Sequence, residues 1–318
     1  SIQKWCAKNK IGFFGTYNPI QNSNFSKLIK LTIFELVESI DYLTQLDDKL
    51  RSRGQQLFYI TDNLINRSLT ANLTNIKIIP TVELFGMIST VDVDKKVKKP
   101  EKLFNCFIQR VDSVRQTWFY FLKHYNLLDK GYVSFLLFQY KFYSDKTGVE
   151  LFDYNHSHFN LNKLPHFDDA YNALRPIVPY NNFPRDSDLS AYVNDSKYSL
   201  VLETYATSDE HLGYCYTEKI HRALQSPTIN LFFSQQHSLS ALANIGFKLD
   251  DWMLEIDKLP WIQRQQRLLD ILVNDPVAYD AELLYNNAVN NRDLIAGFKK
   301  QFLNGAFLDK ILTEIYEA

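Results

Sequence analysis

Residues 198–233 have the sequence YSLVLETYATSDEHLGYCYTEKIHRALQSPTINLFF, in which two apolar runs flank a loop and a helical pattern. The run at 198–205 predicts a strand, and the run at 227–233 predicts another. Apolar residues at helical spacing after Thr217 predict a helix that begins there. Because strand, helix and strand follow one another at this spacing, we expect an α/β fold with a parallel sheet.

The amino-terminal part of the chain shows a similar alternation. Apolar runs predict a strand followed by a loop at 10–19, and strands at 56–62 and 76–86. Apolar residues at helical spacing predict one long helix at 25–54. This part is therefore expected to form an α/β unit of its own.

A polar stretch dense in lysine, at 92–102, separates the two α/β parts. It predicts a linker; a solvated loop or a small anion-binding patch is the alternative. Beyond it, predicted strands at 103–108 and 132–143 flank a predicted helix at 111–128. Residues 150–197 show no assignable pattern.

The carboxyl-terminal part is predicted to be helical in two or three pieces, most clearly at 259–274. The expected organisation is α/β, with two Rossmann-like domains that face a cleft, followed by a helical tail. The predicted boundaries of these three parts are 1–100, 101–290 and 291–318.

The composition is typical of a globular protein, with 318 residues, of which 46% are hydrophobic and 22% charged, and a formal net charge of -1. Such a balance provides no overall basic field for nucleic acid or an anionic membrane. Cys6, Cys106 and Cys215 lack metal-ligand spacing and predict a reducing, cytoplasmic location. No apolar run reaches the length of about 18 residues that a membrane span needs.

Motifs for common cofactors and metals do not occur in the sequence. No P-loop, no GxGxxG after a strand and no GxSxG is present. His156, His158 and His166 lie close in sequence, but neither a cysteine nor an HExxH helix accompanies them. We therefore expect no metal site and no bound cofactor.

The start of the helix at Thr217 is predicted to bind a ligand that carries phosphate. Unpaired backbone N–H groups and the helix dipole favour an anion there, and Lys219 adds a charge suited to a diphosphate. Glu218 can accept hydrogen bonds from the hydroxyl groups of a ribose. The preceding strand brings Glu203 and Thr204 to the sheet edge. The alternative is that Thr217 only caps the helix and the charged side chains face water.

Residues 198–224 resemble the donor-binding motif of the fucosyltransferase-like glycosyltransferases, family 10. The shared features are a strand that ends in glutamate, a loop, and a run from Gly-Tyr to Thr-Glu-Lys that opens a helix. Upstream, 103–135 is similar to the family's strand, loop and arginine-opened helix, with Arg115 at the arginine position. The resemblance covers about 103–250, and is closer to divergent bacterial and viral members.

The resemblance implies a two-lobed GT-B fold, with the acceptor on 1–100 and the nucleotide-sugar donor on 101–290. It also implies that Arg115 and Lys219 bind the diphosphate, that Glu218 binds the ribose and that Tyr216 lies against the donor. Glu203 would lie near the sugar or support the loop. The implied donor-binding residues are Arg115, Glu203, Thr204, Tyr216, Thr217, Glu218 and Lys219.

Two features depart from the family pattern. Thr204 stands where the family has an asparagine, and the loop after the strand is longer and carries Asp209, Glu210 and His211. The donor sugar therefore stays open. Family enzymes need no bound metal, since cationic side chains and a helix start neutralise the leaving diphosphate.

The catalytic base is expected to be a carboxylate in the first lobe, because transfer to a hydroxyl group releases a proton. Asp62 ends the predicted strand at 56–62, and Glu83 lies near the end of the one at 76–86. Both are predicted catalytic residues, although each also fits a turn or a cap.

The expected activity is metal-independent hexosyl or pentosyl transfer from a nucleotide-sugar to a hydroxyl group of a glycan. One alternative is a viral glycosyltransferase that modifies hydroxymethylated bases in DNA, for which 92–102, Lys123 and Lys141 are the only basic candidates. Another alternative is an inactive protein that binds a sugar nucleotide. Arg115, Glu218 and Lys219 together argue against loss of activity.

Overall fold

The computed structural model describes residues 6–8, 10–14, 24–32, 40–61, 64–65, 70–81, 93, 99–108, 113–135, 180–184, 189–203, 206, 213–214, 216–304, 309, 312–313 and 315. The contacts divide the chain into two compact units. The first unit comprises Ser1–Thr90, Glu210–His221 and Arg292–Ala318, and the second comprises Val91–Asp209 and Arg222–Asn291. The three-part division expected from the sequence stays a prediction.

The first unit contains a parallel sheet with its strands in chain order, and one helix between the second and third strands. The strands of this sheet are β1 (Gly12–Phe14), β2 (Lys27–Thr32), β3 (Gln56–Thr61) and β5 (Ile76–Pro80), and the helix is α1 (Ile40–Ser52). The short strand β4 (Leu64–Ile65) belongs to a separate two-stranded sheet. The sheet order is β1-β2-β3-β5. Ile29, Phe58 and Ile60 pack into one apolar cluster, whereas Leu28 and Leu57 pack with α1 in another. Each face of this sheet is therefore covered.

The helix predicted at 25–54 is wrong in its first part, because β2 and α1 occupy that range. Leu28, Ile29 and Lys30 are all buried, and β2 pairs with β1 on one side and β3 on the other. A central parallel strand buried on both faces carries consecutive buried residues instead of alternating ones. Periodicity alone does not distinguish such a run from a buried helix.

The second unit contains a five-stranded sheet and most of the helices. Its elements are β6 (Lys102–Ile108), α2 (Ser113–His124), β7 (Gly131–Phe135), β8 (Tyr180–Asn181), α3 (Leu189–Asn194), β9 (Ser196–Leu202), β11 (Ile229–Phe233), α5 (Ser238–Asn244), α6 (Asp251–Asp257) and α7 (Trp261–Asn274). β10 (Gly213–Tyr214) belongs to the first unit and pairs with β4, and the helices α4 (Glu218–Leu224) and α8 (Ala281–Leu303) each contribute residues to both units. The sheet order is β11-β9-β6-β7-β8, with only β8 antiparallel.

These parallel sheets with their helices confirm the predicted α/β class. Helix α2 crosses one face of the larger sheet: the Trp118 ring lies 5.6 Å from the Phe233 ring of β11, and Phe119 stacks on Phe135 of β7 at 4.6 Å. Among the helices that the structure describes, none is long and apolar enough to span a membrane.

Gly131→Ala is expected to lower the free energy of unfolding by about 1–3 kcal/mol, through overpacking. Gly131 pairs with Phe104 of β6, and an added Cβ would lie 2.7 Å from the Phe104 ring and 2.8 Å from its carbonyl oxygen. Thermal unfolding measures the change. The control is Gly297→Ala on α8, where no atom outside the neighbouring residues and backbone of the helix lies within 4 Å of the new Cβ. Since alanine favours a helix, this control should gain up to about 1 kcal/mol. Equal melting temperatures for the two variants would contradict the prediction.

Candidate ligand-binding site

The strand order of the second unit reverses at β6. The chain forms β7 on one side of β6 and then crosses to β9 on the other side. Open α/β sheets bind ligands outside the carboxyl ends of the strands at such a reversal. The described strands of the first unit's larger sheet follow one another in chain order, without this feature. The carboxyl ends of β6 and β9 are therefore the topological candidate for a ligand site.

The described pairing of β6 with β9 ends before the carboxyl ends of both strands. Their paired residues run from Lys102 and Ser196 to Asn105 and Ser199. Each strand then continues for three residues, β6 paired with β7 and β9 paired with β11. We call the region of the two strands beyond Asn105 and Ser199 the fork. A fork at the strand reversal provides backbone groups of two central strands that are not used in pairing β6 to β9.

A buried polar pair marks the base of the fork. Ser199 Oγ donates a hydrogen bond to Asn105 Oδ1 at 3.1 Å, and Asn105 Nδ2 donates to the Tyr198 carbonyl at 3.2 Å. Both side chains are buried, so these bonds compensate for the loss of water. The pair therefore holds the two strands together at the last point where they are paired.

Arg115 reaches the end of β9 within the fork region. It is the third residue of α2, is 2% exposed, and donates from Nη2 to the Leu202 carbonyl at 3.3 Å. Burial raises the pKa of the Cys106 thiol to about 12, and the positive charge of Arg115 opposes that rise. Since a guanidinium stays protonated in proteins, a permanent positive charge lies near the carboxyl ends of β6 and β9.

Glu203 is the first residue after β9 and is 4% exposed. Its backbone N–H donates to the Phe233 carbonyl at 2.9 Å, which continues the β9–β11 pairing by one residue. Arg115 bonds the carbonyl of the preceding residue, Leu202. Two residues predicted from separate motifs, about 90 positions apart, are thus brought to one strand end.

Thr217 and Lys219 lie together at the start of α4, in the first unit. The backbone N–H and the Nζ of Lys219 each lie 3.4 Å from Thr217 Oγ1, a long distance for a hydrogen bond. Thr217 is buried and Lys219 is half-buried. Glu218 belongs to α4, but its side chain lies outside the described part of the structure. The helix cap and the anion-binding interpretation both fit this geometry.

Tyr216 is buried and lies edge-on to His221 of α4, with 6.4 Å between the ring centres. His221 is also buried, and this burial lowers its pKa to about 3. The imidazole is therefore neutral at physiological pH and adds no charge beside the helix start. Tyr216 packs within the protein in this structure, in contact with a neutral ring.

Arg264 was not predicted from the sequence. It is 1% exposed, and donates from Nη1 to the Leu259 carbonyl at 2.6 Å and from Nη2 to the Ala206 carbonyl at 2.9 Å. The helical spacing could have indicated its burial, because Arg264 lies four residues before Leu268, on the apolar face of α7. A charged residue at a buried helical position indicates a buried polar contact.

The sequence-predicted residues fall into three groups. Arg115 and Glu203 both lie at the end of β9. Tyr216, Thr217, Glu218 and Lys219 lie at the start of α4, and Asp62, Glu83 and Thr204 lie outside the described residues. Within the described residues, no group of three or more His, Cys, Asp or Glu is placed to hold a metal ion. The chain matches no protein-family model, no curated protein and no solved structure.

Proposed function

We propose that the chain is a glycosyltransferase that takes a nucleotide-sugar and transfers its sugar to a hydroxyl group of a glycan, without a bound metal. The observation that carries the proposal is the fork at the strand reversal, with Arg115 and Glu203 at its edge. A diphosphate needs positive charge, and a sugar needs hydrogen-bond acceptors. Arginine and glutamate at one strand end provide both.

Positive side chains at the site are explained by the negative charge that develops on the diphosphate during sugar transfer. Cleavage of the bond between the sugar and the diphosphate leaves negative charge on the diphosphate. Cations held in place before the reaction stabilise that charge most in the transition state. Arg115, fixed at the Leu202 carbonyl, provides one such charge, and the family resemblance assigns Lys219 to the same role. A carboxylate of the first lobe, Asp62 or Glu83, would accept the proton of the acceptor hydroxyl.

The proposal includes the GT-B fold, with a donor lobe and an acceptor lobe. Both units contain a parallel sheet with associated helices, as two Rossmann-like lobes require. Of the two larger sheets, only that of the second unit has the reversal that favours nucleotide binding. We therefore assign the donor to residues 101–290, which include this sheet and the start of α4, and the acceptor to residues 1–100.

A nucleoside diphosphate is expected to raise the melting temperature of the protein. At about 100 times its dissociation constant, a ligand that binds only the folded state adds about 2.7 kcal/mol to the free energy of unfolding. A thermal-shift panel of GDP, UDP, CDP and ADP would identify the base. If none of the four shifts the transition, the donor assignment is wrong. Binding without transfer or hydrolysis would instead indicate the inactive sugar-nucleotide-binding protein.

Sugar transfer is expected to survive excess EDTA, because fixed cationic side chains neutralise the leaving diphosphate in the proposed mechanism. The measurement is the initial rate of transfer before and after chelation, with the donor identified by the panel. A control with added Mg²⁺ or Mn²⁺ tests for stimulation. Loss of transfer on chelation, restored by either ion, would contradict the metal-independent mechanism.

A further inference from the structure

Three helices of the second unit, α5, α6 and α7, are joined by a buried charged cluster. Asp257, at the end of α6, accepts hydrogen bonds at 3.0 Å from the backbone N–H and from Oγ of Ser240 on α5. Burial raises the pKa of Asp257, while the Ser240 hydrogen bonds and the positive charge of Arg264 on α7 oppose the rise. Asp257 and Arg264 are each only 1% exposed.

Arg264 connects this cluster to the segment that follows β9. One of its nitrogens donates to the Leu259 carbonyl just before α7, and another donates to the Ala206 carbonyl. Arg115 donates to the Leu202 carbonyl, four residues earlier. Two buried guanidinium groups, from α2 and α7, therefore hold the chain on both sides of Glu203.

Stability alone is a weak reason for a buried arginine. Removing a guanidinium from water is costly, and an apolar side chain of similar volume often stabilises a protein equally well or better. A planar group with several donors can, however, hold two carbonyls in a defined geometry, which an apolar side chain cannot. The position of Arg264 indicates a role in ligand binding. Its contact with the Ala206 carbonyl lies just beyond the carboxyl end of β9, where α/β sheets bind ligands.

We propose that Arg264 is a positioning residue. By holding the Ala206 carbonyl, it acts with Arg115 as a clamp that fixes Glu203 at the edge of the sheet. The clamp thereby sets the affinity of the site for the diphosphate donor, a step that rests on the proposed glycosyltransferase function.

The test compares Arg264→Lys with wild type and with Arg267→Lys, a control at an exposed position of α7. Lysine keeps the charge, but its single ammonium group does not span two carbonyls as the guanidinium does. Amide hydrogen exchange of a peptide covering 201–208 is expected to be about tenfold faster in Arg264→Lys than in the other two proteins. The dissociation constant for the nucleoside diphosphate from the thermal-shift panel should rise about tenfold, with the turnover rate within about twofold.

The possible outcomes distinguish failure of the clamp, meaning the positioning role of Arg264, from failure of the proposed glycosyltransferase function. If a folded Arg264→Lys variant shows the wild-type rate of amide hydrogen exchange in 201–208, the clamp is wrong. Faster exchange with unchanged nucleotide affinity overturns the link between the clamp and the donor. If the wild-type protein binds no nucleoside diphosphate, both the proposed function and the link between the clamp and donor binding are wrong. Amide hydrogen exchange in Arg264→Lys still tests the clamp itself. If Arg264→Lys does not fold, wild-type exchange at the rate of an unstructured chain in 201–208 overturns the clamp.

Discussion

Lys219→Ala is expected to lower the rate of sugar transfer by about 10²–10³-fold and to leave the folded protein intact. In the proposed mechanism, the ammonium group faces a diphosphate that gains negative charge as the bond to the sugar breaks. Its interaction therefore strengthens in the transition state, and its loss lowers turnover more than donor binding. Stability should change much less than turnover, by about 1 kcal/mol or less, because the Lys219 side chain is only half-buried.

The matched control is Arg222→Ala, which removes an exposed cation three residues further along α4. Both variants lose one positive charge from the same helix, so a general electrostatic effect would change both rates equally. The measurements are turnover and the Michaelis constant for the donor, with circular dichroism to confirm folding. A Lys219→Ala enzyme that transfers sugar at the wild-type rate would show that the Thr-Glu-Lys triplet serves only as a helix cap.

Arg115→Ala is expected to lower the free energy of unfolding by about 3–5 kcal/mol and to abolish measurable transfer. The substitution empties the space of a side chain that is 2% exposed, and takes from the Leu202 carbonyl its hydrogen bond from a charged donor. A buried cavity and a buried acceptor that loses its donor each cost a few kcal/mol. Thermal and urea unfolding measure the stability, with Arg267→Ala on the exposed side of α7 as the control.

Arg115→Ala would lose sugar transfer for two reasons, because the fold is destabilised and because the positive charge is removed. The Arg115→Lys variant separates these two causes. Lysine keeps the positive charge, so a folded Arg115→Lys should recover part of the transfer rate over Arg115→Ala. If charge at the fork does not matter, a stable Arg115→Met would transfer sugar as fast as Arg115→Lys. Wild-type stability and turnover in Arg115→Ala would contradict both roles.

Most strands and helices of the second unit were predictable, because their sequence patterns are local. The apolar run of β9, the run of β11 and the helical spacing of α7 each appear within the element itself. The start of α4 was predicted at Thr217 from a threonine followed by charged residues, and the helix begins one residue later. The sequence alone was therefore sufficient for the α/β class and for Glu203 at a strand end.

Other features depended on the tertiary structure, since they arise from partners far apart in the chain. The consecutive buried residues of β2 follow from pairing with β1 and β3, which its own sequence does not reveal. Arg115 was found from a motif, but its bond to the Leu202 carbonyl depends on a strand that comes 87 residues later. Arg264 had no motif, and its contact with Ala206 spans 58 residues. Local patterns therefore predicted most elements of the second unit, whereas the strand order β11-β9-β6-β7-β8 determined which residues lie together at the fork, because only pairing across the sheet brings β9 beside β6.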